Sequence, residues 1–243
     1  MKTQINTIPK KLLSKGNTNT KTAKNELTTF ILYLSPAAQN SKKVNLCPFA
    51  SKGCLKACLY TAGRGKFNNV QEARTRKSNY LVNDRKAFYL QIEKEIKSKI
   101  TYYQRKGEKI ALRLNGTSDI DNLKALKAYT GLNFEDLQNK VEFYDYTKSL
   151  KRALKYKDSK NYTLALSRCE DNEKECFEAM DQGINSSFVF AGELPKTYKG
   201  FKVIDGDQSD DIMIKYKGQG VILGLRAKGD AKKDKTGFVI TKY

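Results

Sequence analysis

Apolar residues come in short runs along the chain, separated by longer polar stretches. Thr28–Leu34, Ile110–Leu114, Val141–Tyr146, Tyr162–Leu166, Ser187–Phe190, Phe201–Ile204, Gly220–Leu225 and Gly237–Thr241 are short and rich in β-branched and aromatic residues, which predicts strands. Between Asn69 and about Arg105 the pattern changes. Phe88, Leu90, Ile92, Ile96 and Ile100 fall at near-helical spacing, and Gly107 stops the run. Helices are also predicted over 122–129, 134–139, 148–156 and 172–182. Strands alternating with helices predict an α/β fold: a single β/α barrel or partial barrel, mainly parallel, with some antiparallel strands near the C-terminus. A doubly wound open sheet is the alternative. Residues 1–27, rich in Lys, Asn and Thr, read as a polar flexible arm. That leaves 28–243 as one catalytic-type domain with a Cys-rich loop at 45–65.

Charge sharpens this picture. Lys and Arg total 46 and Asp and Glu 26, a net charge of +20 over 243 residues. The basic residues are spread along the chain, as a solvated Lys-rich surface would also have them. An excess this large points to a polyanionic partner, nucleic acid, with DNA ahead of RNA. The chain has no His and no Trp. Ser-His-Asp triads, Cys-His dyads and His-ligated metals are therefore excluded. No lipidation motif, basic amphipathic helix or apolar run near the roughly 18 residues of a membrane span is present, so no membrane partner is expected and the location is cytoplasmic. The five Cys are then expected to be thiols or metal ligands, not disulfides.

Two groups of residues carry candidate chemistry. Cys47, Cys54 and Cys58 lie within twelve residues and are expected to hold zinc or an iron–sulfur cluster, with Cys169 or Cys176 as a fourth thiol. Their C-x6-C-x3-C spacing is not that of a zinc knuckle, and packing of small buried thiols is the ordinary alternative. The second group sits where predicted strands end. Asp119 is the expected nucleophile at a sugar C1′, with Asp145 or Asp205 as acid/base partner. Arg113, Asn115, Ser118, Lys148, Arg168 and Tyr144 are expected to bind substrate, and Tyr60, Tyr144 and Tyr146 to stack on a base. Without histidine, proton transfer falls to carboxylates, Tyr, Lys and thiols. Helix capping is the plainer reading of Ser118 or Asp119.

Several phrases resemble the gene-product-88-like family of mycobacteriophages: Asn45–Cys54, Cys58–Arg64, Arg113–Asp119, Phe143–Lys148 and Val203–Asp207. The resemblance runs from about residue 29 to 240 and implies a phage or prophage origin. Cys54-Leu-Lys-Ala-Cys58-Leu-Tyr-Thr61 also resembles the C-x3-C-x2-C signature of radical S-adenosylmethionine enzymes, with Thr61 in place of the third Cys. A looser likeness, in expected fold, charge and acids, links the chain to barrels of the tRNA-guanine transglycosylase type. The expected function is a phage-type nucleic-acid-modifying enzyme that exchanges or removes a base at the N-glycosidic bond. A radical iron–sulfur enzyme and a non-enzymatic nucleic-acid-binding or host-inhibiting factor are the alternatives.

Overall fold

The apolar runs form strands that lie side by side in one sheet. The computed structural model describes residues 7–18 and 21–243. The strands are β1 (Leu13–Lys15), β2 (Thr28–Leu32), β3 (Ile110–Arg113), β4 (Val141–Thr147), β5 (Tyr162–Ser167), β6 (Ser186–Phe190), β7 (Thr197–Tyr198), β8 (Phe201–Asp205), β9 (Ile222–Arg226) and β10 (Val239–Ile240). Their order is β1-β2-β3-β4-β5-β6-β9-β8-β7, with β10 beside β6. From β2 through β9 to β8 every neighbouring pair is parallel. Among the described residues only β1 on β2 and β7 on β8 run antiparallel. The sheet is mixed, mostly parallel and open. Its path ends at β1 and β7, so no closed barrel forms among the described residues.

The helices are α1 (Lys52–Lys56), α2 (Asn68–Asn83), α3 (Arg85–Gln104), α4 (Asn122–Thr130), α5 (Leu150–Tyr156), α6 (Glu173–Asp181) and α7 (Asp211–Lys215). One face of the sheet buries alternate strand residues under α2 to α4: Phe30, Leu32, Ile110, Leu112, Val141 and Phe143 pack with Phe88, Ile92, Ile96 and Leu126. Burying side chains of this size contributes about 1.5–3 kcal/mol each. Farther along, Leu166, Phe188, Phe190 and Ile222 pack with α6 residues Cys176 and Met180. The residues between them point to the other face, as a pleated strand requires. There Ala111, Tyr144, Ala165 and Leu223 pack against Met213 of α7.

Three expectations need correction. The single helix expected from 69 to 105 is two. Asp84 leaves helical geometry (φ −143°, ψ 84°) and its side chain caps α3 by accepting from the Ala87 N–H. A side-chain cap of this kind is worth about 1 kcal/mol, enough to set a boundary that the apolar spacing does not show. The stretch expected as a helix at 134–139 is a single 3-10 turn at Phe134–Leu137. The segment read as a loose arm contributes β1, with Leu12 and Leu13 buried. Glu95 of α3 accepts from both of their N–H groups (2.7 and 2.9 Å), and Lys77 of α2 donates to the Leu12 carbonyl (2.7 Å). Residues 1–6 and 19–20 of that arm lie outside the described residues. Among the described residues, no helix is long and apolar enough to cross a membrane.

Candidate functional site

The parallel strands β2 to β5 and β9 all end at one edge, and open α/β sheets carry ligands at that carboxyl edge. Alternation decides which side chains reach it from the face opposite α2 to α4. Tyr33 follows β2, Arg113 ends β3, Tyr146 and Lys148 end β4, and Ser167 ends β5. These residues form a connected set. The Arg113 guanidinium lies 5.0 Å from the Tyr146 ring centroid, and Lys21 Nζ lies 5.6 Å from the same ring. Arg113 also feels the Tyr33 hydroxyl. Lys148 Nζ donates to Ser167 Oγ (2.9 Å) and sits 5.4 Å from the Phe238 ring.

α2 adds Arg74. Its guanidinium is buried between aromatic rings, 5.0 Å from Tyr33 and 5.6 Å from Tyr60. Among the described residues Arg74 forms no ion pair, and its Nε and Nη1 have no hydrogen-bond partner. A buried guanidinium without a carboxylate is costly. Burial accordingly lowers its affinity for its proton, and the nearby Tyr33, Tyr60 and Cys58 oppose this. The Cys58 thiol lies within electrostatic reach of both Arg74 and Lys148, and the Cys54 thiol within that of Lys148. Burial raises both thiols above the usual range, with Lys148 opposing it at both and Arg74 at Cys58.

One carboxylate anchors this face. Asp210, just before α7, is buried, pairs with Lys21 at 2.7 Å and Arg113 at 3.5 Å, and accepts from the Tyr144 hydroxyl at 3.0 Å. Burial alone would raise its carboxyl. Lys21 and Arg113 outweigh that and hold it below the usual carboxylate range. Lys21 and Arg113 thus share Asp210, while Arg74 and Lys148 have no ion-pair partner among the described residues, which leaves a cationic excess lined by Tyr33, Tyr60 and Tyr146.

The three acids expected to do chemistry do not converge here. Asp119 pairs with Arg152 (2.7 Å) and accepts from the Lys148 backbone N–H (2.9 Å), which fixes the loop after β3 against the start of α5. Asp145 faces the helical side of β4 and accepts from the Asn115 N–H (2.7 Å) and side-chain amide (3.3 Å). Asn115 is itself the hub of a turn, accepting from Ser118 Oγ (3.0 Å), the Ile120 N–H (3.1 Å) and Asn122 (3.1 Å). Asn115 and Ser118 therefore hold the chain in place, with their polar groups turned to protein. Asp205 lies apart on β8, both oxygens taking bonds from Arg226 Nη1 at 3.0 Å. Arg168 pairs with Glu173 (2.9 Å) and donates to the Gly237 and Phe238 carbonyls, tying β5 to the C-terminal strand. Tyr144 is buried against Asp210 and is not placed to stack on a base.

Of the expected residues, Arg113, Lys148, Tyr60, Tyr146, Cys54 and Cys58 come together. Arg74, Tyr33, Lys21 and Asp210 join them. Among these, Lys21 lies in the segment read as a polar arm, and Arg74 in the first part of the expected helix, before its apolar spacing begins. The one signal for Arg74 was that the α2 sequence is too polar to bury an ordinary apolar face.

The Cys47, Cys54 and Cys58 thiols influence one another's titration, and burial pushes Cys47 up to about 11. Cys47 Sγ is partnered elsewhere: it accepts from the Ala37 N–H (3.3 Å) and points at the Thr117 carbonyl (3.8 Å). Among the described residues no three Cys, Asp or Glu side chains are placed to hold a metal ion together. The donor set expected for zinc or an iron–sulfur cluster is not presented in this arrangement of the described residues.

The fold and this edge define an α/β protein with an open, mainly parallel sheet and a cationic, tyrosine-lined site at the carboxyl ends of its strands. Residues 11–242 match the model of the family described as Gene product 88, and the chain belongs to that phage-associated family. No curated protein and no solved structure matches it.

Proposed function

We propose that the protein is a nucleic-acid-modifying enzyme that takes a nucleobase at the carboxyl edge of its sheet, with the open sheet serving as a partial barrel. The observation that carries this reading is Arg74, a buried guanidinium held between two tyrosine rings and free of any carboxylate among the described residues. A flat, anionic ligand answers all of its features at once. The base stacks on Tyr33 or Tyr60, and a phosphate takes the unused donors of Arg74 with Lys148. The net charge of +20 supplies long-range attraction to the same ligand.

Base exchange or removal at the N-glycosidic bond remains the proposed reaction. The geometry moves its candidate groups. Asp119, Asp145 and Asp205 are each engaged in holding the fold. Cys54 and Cys58, both within electrostatic reach of Lys148, are the reactive groups this edge offers. Burial raises both thiols, and Lys148 opposes that rise, as a nearby cation does by favouring the thiolate. The test is nucleoside mass analysis of DNA incubated with the protein and a small-molecule cell fraction as co-substrate source. The expected result is a lost or replaced base, with the rate falling at least about a hundredfold in Lys148→Ala, as removal of a positioned acid or charge does. Unaltered nucleosides, or equal turnover by Lys148→Ala, would overturn the reading.

A further inference from the structure

The loop that carries the thiols exposes large apolar side chains that nothing in the fold requires. Phe49 is 51% exposed, Leu55 47%, Leu59 56% and Phe67 51%. These four fall within nineteen residues, at the edge of the site described above. Four large apolar side chains exposed within one short segment offer a surface for contact.

The charge around them selects the partner. From Leu27 to Gln71 the chain contains no Asp or Glu. The same stretch carries Lys42, Lys43, Lys52, Lys56, Arg64 and Lys66, all exposed. Apolar tips set among cations, with no acid in the segment itself, suit a polyanion that also has flat apolar surfaces. The loop is also held firmly. Glu170, after β5, accepts from the Gly53 N–H (2.6 Å) and the Ser51 hydroxyl (2.7 Å), and Ser51 in turn caps α1 through the Cys54 N–H (3.1 Å). Gly53 has no room for a side chain, since an added Cβ would lie 2.3 Å from Thr236 Oγ1 and 2.6 Å from Glu170 Oε2. A rigid support of this kind lets exposed side chains push on a ligand without folding away.

We infer that the 47–67 loop is a wedge that inserts Phe49 and Leu59 between stacked bases while its cations grip the backbone, unstacking the base that the neighbouring site receives. Apolar wedges that unstack a base step in this way cost a few kcal/mol and recover it through the contacts the opened strand makes. The inference rests on the nucleic-acid reading above, and it names how the base leaves its stack.

The test uses a DNA duplex with 2-aminopurine at its centre, whose fluorescence rises when the base unstacks, and the full chain with Phe49→Ala and Leu59→Ala together. Both positions are exposed, so the thermal melt of the variant is expected to match that of the parent. The expected result is a several-fold fluorescence rise with the parent and its loss in the variant, with affinity falling about tenfold and the salt dependence of binding unchanged. Lys52→Gln with Lys56→Gln is expected to make the salt dependence shallower instead. A parent that binds and modifies DNA while 2-aminopurine stays dark overturns the wedge and leaves the modification reading standing. A parent that binds no nucleic acid overturns both. Equal signals in the parent and the Phe49/Leu59 variant, or co-flotation of the parent with anionic vesicles in preference to DNA, also overturn the wedge.

Discussion

Asp145 shows how one carboxyl can look catalytic in sequence and be structural in space. It ends a strand in a chain without histidine, as a general acid would. Pleating turns it to the helical side of β4, where it is buried and takes two bonds from Asn115. Burial raises its carboxyl from the ordinary 3.8 to about 6, with Arg113 and the Asn115 N–H opposing the rise. A carboxyl raised by folding binds its proton more tightly in the native state than in the unfolded chain. Its contribution to stability is therefore greatest at low pH and is lost as pH rises from about 4 through about 6. The shift corresponds to about 3 kcal/mol across that window. Asp145→Asn is expected to flatten this part of the stability profile, measured by urea melts at pH 4 to 7. Parallel profiles for the two proteins would show that Asp145 does not titrate there. The neighbouring residues of β4 teach the same lesson in reverse. Tyr146 and Lys148 share a strand with Asp145 and point the other way, and they form the site.

At the scale of elements, the strands were legible because each is a short apolar run with clear polar flanks. The parallel order followed from their alternation with helices. What was not legible was set by side-chain capping and by edges. Asp84 splits the long helix with one hydrogen bond, and Leu12 and Leu13 add an antiparallel edge strand from within a polar segment. The site was half legible. Arg113, Lys148 and the Cys54/Cys58 loop follow strands and were found there. Arg74 lies on α2, a helix that buries Arg74, Lys77, Ser78 and Asn79, so its inward face has no apolar signature. The tie between Glu170 and α1 joins the loop after β5 to the thiol loop across more than a hundred residues, and no local pattern shows it. Glu170→Ala is expected to cost about 1–3 kcal/mol, because it leaves the Gly53 N–H and Ser51 hydroxyl without their acceptor. It is also expected to speed labelling of Cys54 and Cys58 by a thiol reagent several-fold in native protein. Unchanged labelling kinetics would show that Glu170 does not hold the loop.

At the scale of the whole molecule, the +20 charge is a bulk number that a Lys-rich surface would satisfy equally well. The structure gives it a location. Where acids and bases meet on the helical side they pair, as Asp119 does with Arg152 and Glu173 with Arg168. At the carboxyl edge of the sheet Lys21 and Arg113 share Asp210, Arg74 and Lys148 have no ion-pair partner among the described residues, and the segment from Leu27 to Gln71 holds no acid. Nucleic acid is expected to bind at this edge. The most direct measurement is the affinity for a labelled single-stranded DNA across a salt series, for the parent, for Arg74→Gln with Lys148→Gln, and for Lys174→Gln on the exposed surface of α6 as control. The parent and the control are expected to share one steep line of log affinity against log salt. The double variant is expected to bind about tenfold more weakly, with a slope shallower by about one to two phosphate contacts at ~0.7 each. A double variant that superimposes on the parent at every salt concentration would contradict the claim.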